Sequence, residues 1–323
     1  MKYDIIIIGA GPIGLTCGIE AKRRKRSHLI LEKGCLVNSL YHFPTNMIFF
    51  STSDRLEIGD IPFVSHGDKA VRSEALEYYR RVAAAWQLNI HSYERVIRVK
   101  RSDDGFEIES DNGSYRANAV IIATGFYDQP NMLGIPGEQL PKVSHYFRDV
   151  HPYAFQKLAI IGGANSAAQA ALEGCRRLVD VTLIVREAEL SHGIKYWIRP
   201  DILNRIEEGR IKAYYNTEVT AIHEKTIDVN GPNGVFTLEN DFVLALTGYH
   251  PDYQLLTSIG IEISNDDIKA PAFHPGTHET NVPGCYLAGV VCGGMRTGKY
   301  LIENSRDQAV KIFDHLCGRG DKK

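Results

Sequence analysis

The sequence predicts an α/β protein with two similar domains, in which helices cover mainly parallel sheets. Three observations lead to this prediction. An apolar, β-branched run at residues 3–8 leads into a glycine-rich turn and then into residues of high helix propensity. A second strand, glycine turn and helix begin at residue 157, and an apolar strand near residue 285 returns to the first domain. The predicted fold class is two Rossmann-like, three-layer ββα nucleotide-binding domains, the second inserted in the first.

The first turn has the spacing G-x-G-x-x-G, formed by Gly9, Gly11 and Gly14, with Pro12 and Ile13 before the last glycine. Gly9 makes the tight turn out of the strand, and Gly11 lets a pyrophosphate approach the backbone without meeting a Cβ atom. Gly14 allows the following helix to pack closely on the strand. Because the free N–H groups at the start of this helix face the phosphates, the turn predicts a dinucleotide site.

A carboxylate follows this turn at the distance that a ribose-binding residue needs. The second strand, at residues 28–31, ends on Glu32, about 20 residues after the last glycine, where an acid accepts hydrogen bonds from a ribose hydroxyl. Residues 33–67 then show no clear helix or strand period. Long irregular segments inside a compact domain are usually functional, so we expect this one to pass over the bound nucleotide.

Later strands complete the first domain. Alternating polar and apolar residues predict antiparallel strands at residues 90–100, 105–110 and 114–118. Residues 119–123 form a separate, buried apolar strand that closes on Ala123, Thr124 and Gly125.

Proline and glycine are frequent in residues 126–156, which we interpret as a connection between two folding units. The predicted first domain therefore comprises residues 1–125 and 250–323. The predicted second domain comprises residues 126–249.

The second domain repeats the pattern of the first with different residues in its turn. The turn consists of Gly162, Gly163, Ala164, Asn165, Ser166 and Ala167. Alanine at the middle position leaves less room for a pyrophosphate than glycine does. We therefore expect a looser site here, which suits a nucleotide that binds and leaves in each catalytic cycle.

The region of the second domain that corresponds to Glu32 carries Arg186. A guanidinium group suits a 2′-phosphate, as in NADP(H), because its planar fork matches phosphate oxygens. Glu187 is the next residue, and its acidic side chain weakens this interpretation. His192, Lys195 and Arg199 would add positive charge around the same phosphate, although Lys195 and Arg199 also fit ordinary surface positions.

Composition narrows the class of protein. The net charge of −2 predicts no nucleic-acid partner, and no apolar run is long enough to span a bilayer. The N-terminal apolar run breaks into the glycine turn, unlike a signal peptide, so we expect a cytoplasmic protein. The six cysteines form no Cys-x-x-Cys and no zinc spacing with histidines, so we expect reduced structural thiols and no metal.

Taken together, the order of elements resembles the low-molecular-weight thioredoxin-reductase-like flavoproteins over the whole chain. The stretches that carry this resemblance are 9–14, Glu32, 123–125, 162–167 and 287–289. Within this group, the chain is similar to the bacillithiol disulfide reductase family, through the stretches 44–47, 49–53, 56–63 and 194–200. The resemblance implies NADPH-dependent, FAD-mediated reduction of a low-molecular-weight disulfide in a dimer or tetramer. The implied partner is a small-molecule disulfide or a small redox protein.

The resemblance also implies which domain holds which cofactor, FAD on the first domain and NADPH on the inserted one. The residues it assigns to FAD are Gly9, Gly11, Pro12, Ile13, Gly14, Glu32, Lys33, Ala123, Thr124, Gly125 and Gly289, with Asn38, Ser39, Asn46 and Thr52 near the isoalloxazine ring. The residues it assigns to NADPH are Gly162, Gly163, Asn165, Ser166, Ala167, Arg186 and Lys195.

Three departures from these families affect the expected chemistry. Thioredoxin reductases carry Cys-x-x-Cys in the second domain and this chain has none, so a protein dithiol relay is not expected. Members of the closer family can carry cysteine where this chain has Ile13, and Cys17, one helical turn later, is expected to face the packing side. Val290 stands after Gly289 in place of a common acid, which puts one ribityl contact in doubt.

Other functions remain open at this point. A ferredoxin- or flavodoxin-NADP reductase shares the fold and also lacks Cys-x-x-Cys. A flavin monooxygenase fits less well, because its fingerprint before the second glycine turn is missing. A non-catalytic flavin- or nucleotide-binding regulator is a further alternative. No acid or base stands out in the sequence, so no catalytic residue is assigned.

Overall fold

The computed structural model describes residues 2–320 and divides the chain into two compact units. The divisions fall between Gln129 and Pro130 and between Gly248 and Tyr249, so unit 1 contains both ends of the chain and unit 2 the middle. The strands are β1 Lys2–Ile8, β2 His28–Glu32, β3 Ile90–Ser92, β4 Val96–Ser102, β5 Gly105–Ser110, β6 Ser114–Ile122, β7 Val143–Ser144, β8 Lys157–Ile161, β9 Asp180–Ile184, β10 Lys212–Tyr214, β11 Glu218–Ile222, β12 Thr226–Gly231, β13 Gly234–Glu239, β14 Phe242–Ala245 and β15 Cys285–Leu287. The α-helices are α1 Pro12–Arg23, α2 Asn38–His42, α3 Arg72–Ala85, α4 Asn165–Cys175, α5 Arg199–Glu207, α6 Tyr253–Ile259 and α7 Ile302–Gly320.

Unit 1 is built on parallel strands in the order β3-β2-β1-β6-β15, and the hairpin β4-β5 pairs antiparallel with the first half of β6. The side chains of β1 alternate between the two faces of this sheet. Ile5 and Ile7 pack in one cluster with residues of α1, α3 and α7. Ile6 and Ile8 pack in another with residues of the hairpin. The sheet therefore lies between a helical layer and a β layer, which confirms the predicted three-layer ββα class.

Unit 2 repeats the plan with parallel strands in the order β10-β9-β8-β14-β7 and a separate antiparallel sheet, β11-β12-β13. Ile160 of β8 packs with α4 and α5 on one face. Ala159 and Ile161 pack with residues of β11 and β12 on the other.

The structure differs from the sequence prediction at three places in unit 1. The run 90–100 is two strands, because β3 pairs parallel with β2 while β4 turns back against β5. The runs predicted at 114–118 and 119–123 are one strand, β6, whose two halves have different partners. The long segment after Glu32 contains the short helix α2 and a 3₁₀ helix at Ser53–Leu56, both too short to give a readable period.

Candidate nucleotide-binding sites

In unit 1, the carboxyl ends of β1, β6 and β15 meet at the first glycine turn. Gly9 has a φ of +107°, and a Cβ atom there would lie 2.5 Å from the carbonyl oxygen of Ala123. A Cβ atom at Gly14 would lie 1.9 Å from the carbonyl oxygen of Gly9. Both glycines are therefore required for α1 to pack against the strands.

Gly11 differs from these two glycines because the fold itself does not require it. Its φ of −70° suits any residue, and no atom lies within 4 Å of the position that a Cβ atom would occupy. The turn is thus open at the N-terminus of α1, where Pro12 takes the first helical position. This opening has the place and the backbone donors that a pyrophosphate needs.

Glu32, the last residue of β2, is held beside the same turn. Its Oε2 accepts the N–H of Ala10 at 2.8 Å, and its Oε1 accepts the N–H of Gly34 at 2.9 Å. Burial raises the pKa of this carboxyl, although the two N–H donors oppose the shift. Next to it, the ammonium group of Lys33 lies 2.9 Å from the carboxylate of Asp128. The carboxylate of Glu32 is therefore fixed in direction at the end of the strand that would carry the ribose.

Thr124 gives a second sign that unit 1 accommodates a ligand. Its hydroxyl is buried and has no hydrogen-bond partner. The counterpart in unit 2, Thr247, donates its hydroxyl to the carbonyl of Asn131 at 2.6 Å. Because a buried polar atom without a partner is costly, the orphaned hydroxyl of Thr124 fits a site completed by a bound molecule.

The return loop after β15 closes the other side of the turn. A Cβ atom at Gly289 would lie 3.4 Å from the side chain of Ile13, and one at Gly125 would lie 4.0 Å from Val290. The N–H of Gly289 donates to Oε1 of Gln308 at 2.6 Å. Gln308 is a buried residue of α7 that our sequence analysis missed. The signal was a polar residue among the apolar positions Ala309, Ile312 and Phe313 on the buried face of this helix.

Asn38 and Ser39 begin α2, and the structure brings this helix to the first turn. Val37, just before it, has a φ of +48° and donates its N–H to the carbonyl of Ala10 at 3.1 Å. The side chain of Asn38 packs so closely on Gly34 that a Cβ atom there would lie 2.3 Å from its Oδ1.

Asn46 and Thr52 lie further along the same segment. Thr52 directly precedes the 3₁₀ helix at Ser53–Leu56, and its backbone carbonyl accepts the N–H of Arg55 at 3.1 Å. The structure thus places Asn38 beside Gly34, while Asn46 and Thr52 follow later in the chain, after α2.

The second turn, in unit 2, is packed in the same way as the first, and Ala164, the counterpart of Gly11, is exposed. Gly162 has a φ of +138°, and a Cβ atom there would lie 2.6 Å from the carbonyl oxygen of Leu246. A Cβ atom at Gly163 would lie 2.8 Å from the side chain of Val185. Ser166 is exposed near the start of α4, whereas Ala167 is buried below it.

Asn165 binds a neighbouring segment rather than leaving its amide free for a ligand. Its Nδ2 donates to the carbonyl of Gly193 at 2.8 Å, and its Oδ1 accepts the N–H of Lys195 at 2.9 Å. The N–H of Ser191 also donates to the carbonyl of Gly163 at 2.8 Å. The predicted residues Asn165 and Lys195 are therefore adjacent, and Asn165 acts by positioning the segment.

The register of the strands shows which residues correspond in the two turns. Gly9 donates its N–H to the carbonyl of Leu31 at 2.8 Å, and Gly162 donates to that of Ile184 at 3.0 Å. Val185 is thus the counterpart of Glu32, and Arg186 is the counterpart of Lys33. The arginine lies one residue beyond the position of the ribose-binding acid.

Arg186 and Lys195 both have neighbours in unit 2. Nε of Arg186 lies 2.7 Å from Oε1 of Glu187, and this pairing raises the pKa of the guanidinium. The ammonium group of Lys195 lies 5.6 Å from the centre of the Trp197 ring. The second turn therefore has nearby cations but no carboxylate at the ribose position.

The buried thiols have the properties of structural cysteines. Cys17, Cys285 and Cys292 are buried, and burial raises the pKa of all three, that of Cys285 to about 12. Burial also raises the pKa of the half-buried Cys35. Thiols with a raised pKa stay protonated at neutral pH and are poor nucleophiles. The expectation that Cys17 faces the packing side agrees with its complete burial.

Two further properties concern the described residues as a whole. Across residues 2–320, no three His, Cys, Asp or Glu side chains come together as metal ligands would. None of the helices in this range combines the length and the apolar character needed to cross a membrane.

The fold and the two turns define an α/β protein of two units, each with the strand, glycine turn and helix that are typical of dinucleotide-binding folds. The chain belongs to the pyridine nucleotide-disulphide oxidoreductase family, whose model matches residues 6–289. It is 43% identical over 321 residues, 99% of both chains, to the bacilliredoxin reductase Bdr of Bacillus subtilis (strain 168).

Solved structures agree with this assignment. The bacillithiol disulfide reductase Bdr (YpdA) from Staphylococcus aureus has a TM-score of 0.97 and 40% identity, with 100% of both chains covered. The protein of the same name from Bacillus cereus has a TM-score of 0.96 and 37% identity, covering 99% of this chain and 100% of the other. The chain is therefore a Bdr-like oxidoreductase in fold and family.

Proposed function

We propose that the protein is an FAD-dependent reductase that oxidises NADPH and reduces a low-molecular-weight disulfide of the bacillithiol disulfide type. The observation that carries this proposal is the 40–43% identity to Bdr proteins over essentially the whole chain. The names of those proteins supply the substrate class. The geometry of the two turns supplies the support within this chain.

Unit 1 is the proposed FAD domain, since its turn leaves open space beside Gly11 and its edge carries the orphaned hydroxyl of Thr124. The N–H groups at the start of α1 would hold the pyrophosphate, and Glu32 would accept the ribose hydroxyl. The other residues proposed to line the FAD site are Gly9, Pro12, Ile13, Gly14, Lys33, Asn38, Ser39, Asn46, Thr52, Ala123, Gly125 and Gly289.

Unit 2 is the proposed NADPH domain. Arg186 would bind the 2′-phosphate, because a guanidinium pairs with phosphate oxygens in a fork. Asn165 would hold the segment that carries Lys195 in place beside the turn. Gly162, Gly163, Ser166 and Ala167 would form the turn at the start of α4.

The two cofactors together would supply hydride transfer from NADPH to FAD and then two electrons to the acceptor. The overall reaction converts NADPH, one proton and a disulfide into NADP⁺ and two thiols. The chain carries isoleucine at position 13 and no Cys-x-x-Cys, and its most buried thiols have a raised pKa. The proposal therefore assigns no protein cysteine to the reaction and names no acid or base.

The proposed setting is the cytoplasm, and the proposed assembly is a dimer or tetramer of identical chains. The proposed partner is the small disulfide itself or a small redox protein. Light scattering on the purified holoprotein tests the assembly directly, and a monomeric mass would contradict it.

The test of the acceptor is anaerobic turnover. The protein is mixed with NADPH and bacillithiol disulfide, and NADPH consumption is followed together with the appearance of free thiol. The proposal predicts about two thiols for each NADPH, by the stoichiometry of a two-electron couple. NADPH consumption only with ferredoxin, flavodoxin or oxygen would overturn the disulfide assignment. An Ile13→Cys variant tests whether a thiol at this position adds to the rate.

A further inference from the structure

Arg186 and Glu187 form an ion pair directly beside the second glycine turn. Oε1 of Glu187 lies 2.7 Å from Nε of Arg186. Oε2 of the same carboxylate lies 3.9 Å from the position that a Cβ atom at Gly163 would occupy. One oxygen of Glu187 thus binds the guanidinium while the other lies close to the turn. The pair also lowers the pKa of Glu187.

A second carboxylate of this surface, Glu189, also has partners. Its Oε1 lies 3.0 Å from Nε2 of His192, and its Oε2 lies 3.3 Å from Nη2 of Arg199. A phosphate that arrives here therefore meets two arginines that already have carboxylate partners. Of these carboxylates, Glu187 lies beside the turn itself.

We propose that Glu187 is a specificity-determining residue, whose carboxylate competes with the 2′-phosphate of the coenzyme for Arg186. This inference rests on the proposed use of NADPH by unit 2. A 2′-phosphate at Arg186 has to share the guanidinium with this carboxylate and lies close to the negative charge of Glu187. A 2′-hydroxyl, as in NADH, instead offers a donor to that carboxylate. Glu187 therefore lowers the ratio of the affinity for NADPH to the affinity for NADH.

The solvent exposure of the two side chains sets the expected size of the effect on phosphate binding. The side chains of Arg186 and Glu187 are 75% and 54% exposed. Exposed ion pairs of this kind contribute about 0.2–1 kcal/mol, so removing the competitor should tighten phosphate binding by about 1.4- to 5-fold.

The experiment uses AMP and its 2′-phosphorylated form as probes, because they differ only in the group that Arg186 would bind. Calorimetry on the full-length holoprotein compares wild type, Glu187→Gln and Glu224→Gln. Glu224 is an exposed residue between β11 and β12, and its substitution removes the same charge from the same unit. We expect Glu187→Gln to bind the 2′-phosphorylated probe about 1.4- to 5-fold tighter. AMP should gain nothing, and Glu224→Gln should change neither probe.

A second pair of variants tests whether Glu187 acts through Arg186. In an Arg186→Ala background, Glu187→Gln should no longer tighten the 2′-phosphorylated probe, because the competition is for Arg186. A gain that persists without the arginine would overturn the inference, as would an equal gain in Glu224→Gln. If wild type prefers the 2′-phosphorylated probe but Glu187→Gln binds it no better, the inference alone fails. If wild type shows no such preference, the NADPH assignment fails with it.

Discussion

Gly11 and Gly14 stand three residues apart in one turn, yet the structure gives them different tasks. A side chain at Gly14 would collide with the backbone of Gly9, so this glycine belongs to the fold. A side chain at Gly11 would meet open space, so the fold does not require this glycine, whereas the proposed pyrophosphate would. The sequence spacing predicted both residues, but only the structure separates their roles.

The residue Gly11 allows binding to be separated from folding. We expect Gly11→Ala to leave the thermal stability of the flavin-free protein unchanged while weakening FAD binding by about tenfold, because overpacking costs about 1–3 kcal/mol. Flavin fluorescence titration of the apoprotein measures the affinity. Gly67→Ala, at another glycine with open space around it, is the control. Normal FAD affinity in Gly11→Ala would contradict the assignment of the turn.

His278 predicts a pH dependence of stability. Burial, with a smaller effect from Lys311, lowers the pKa of His278 from 6.5 to about 4. The unfolded chain therefore binds a proton at a higher pH than the folded chain, and stability is lost as the pH falls from about 6.5 to 4. We expect His278→Gln to lose less stability than wild type over this range in urea denaturation. The exposed His66→Gln should behave like wild type, and identical slopes for all three proteins would refute the prediction.

At the scale of elements, α7 positions the return loop of unit 1. Gln308 accepts the N–H of Gly289, the residue that faces Ile13 across the turn. The same helix binds the segment before α3, since Nη1 of Arg306 donates to the carbonyl of Glu57 at 2.7 Å. The helix thus connects the return loop with the segment between α2 and α3.

The prediction for α7 concerns the buried acceptor. Gln308→Met keeps the volume of the side chain but leaves the N–H of Gly289 without a partner, which costs about 1–3 kcal/mol. We expect a loss of this size in the free energy of unfolding, and weaker FAD binding. Gln254→Met, at an exposed position of α6, should be close to neutral. Equal stability of the two variants would show that Gln308 does not hold the loop.

The elements also show where sequence reasoning succeeds and where it stops. Strands β1, β2 and β8 and the helices after the two turns were predicted from local apolar runs and glycine spacing. The parallel pairing of β3 with β2 was missed, because strands paired in parallel lie far apart in the chain and leave no turn between them. Helix α2 was missed because it has five residues and follows Val37 in a left-handed conformation that no local pattern announces.

The sequence likewise predicted one part of the candidate sites and missed another. Glycine spacing and the acid at the end of β2 placed the first turn correctly at the strand ends. The residue that corresponds to Glu32 in unit 2 depends on strand register. The register identifies Val185 as this counterpart, so Arg186 lies one residue beyond it. Gln308 and the two hydrogen bonds of Asn165 depend on contacts between distant residues, so the sequence alone did not reveal them.

At the scale of the whole molecule, one chain contains the same plan twice, with turns that differ in their polar and charged neighbours. Unit 1 has an open position at Gly11, a fixed carboxylate and an orphaned hydroxyl, as a tightly held dinucleotide would need. Unit 2 has no carboxylate at the position of Glu32 and carries Arg186 one residue further, as a phosphorylated coenzyme would need. The central claim is that these two units hold FAD and NADPH.

Anaerobic titration of the purified protein with NADPH tests this claim most directly. The account predicts a yellow protein with one FAD per chain, whose oxidised-flavin absorbance disappears on addition of about one equivalent of NADPH. A colourless protein that does not take up FAD would contradict the assignment of unit 1. A bound flavin that NADPH leaves oxidised would contradict the assignment of unit 2.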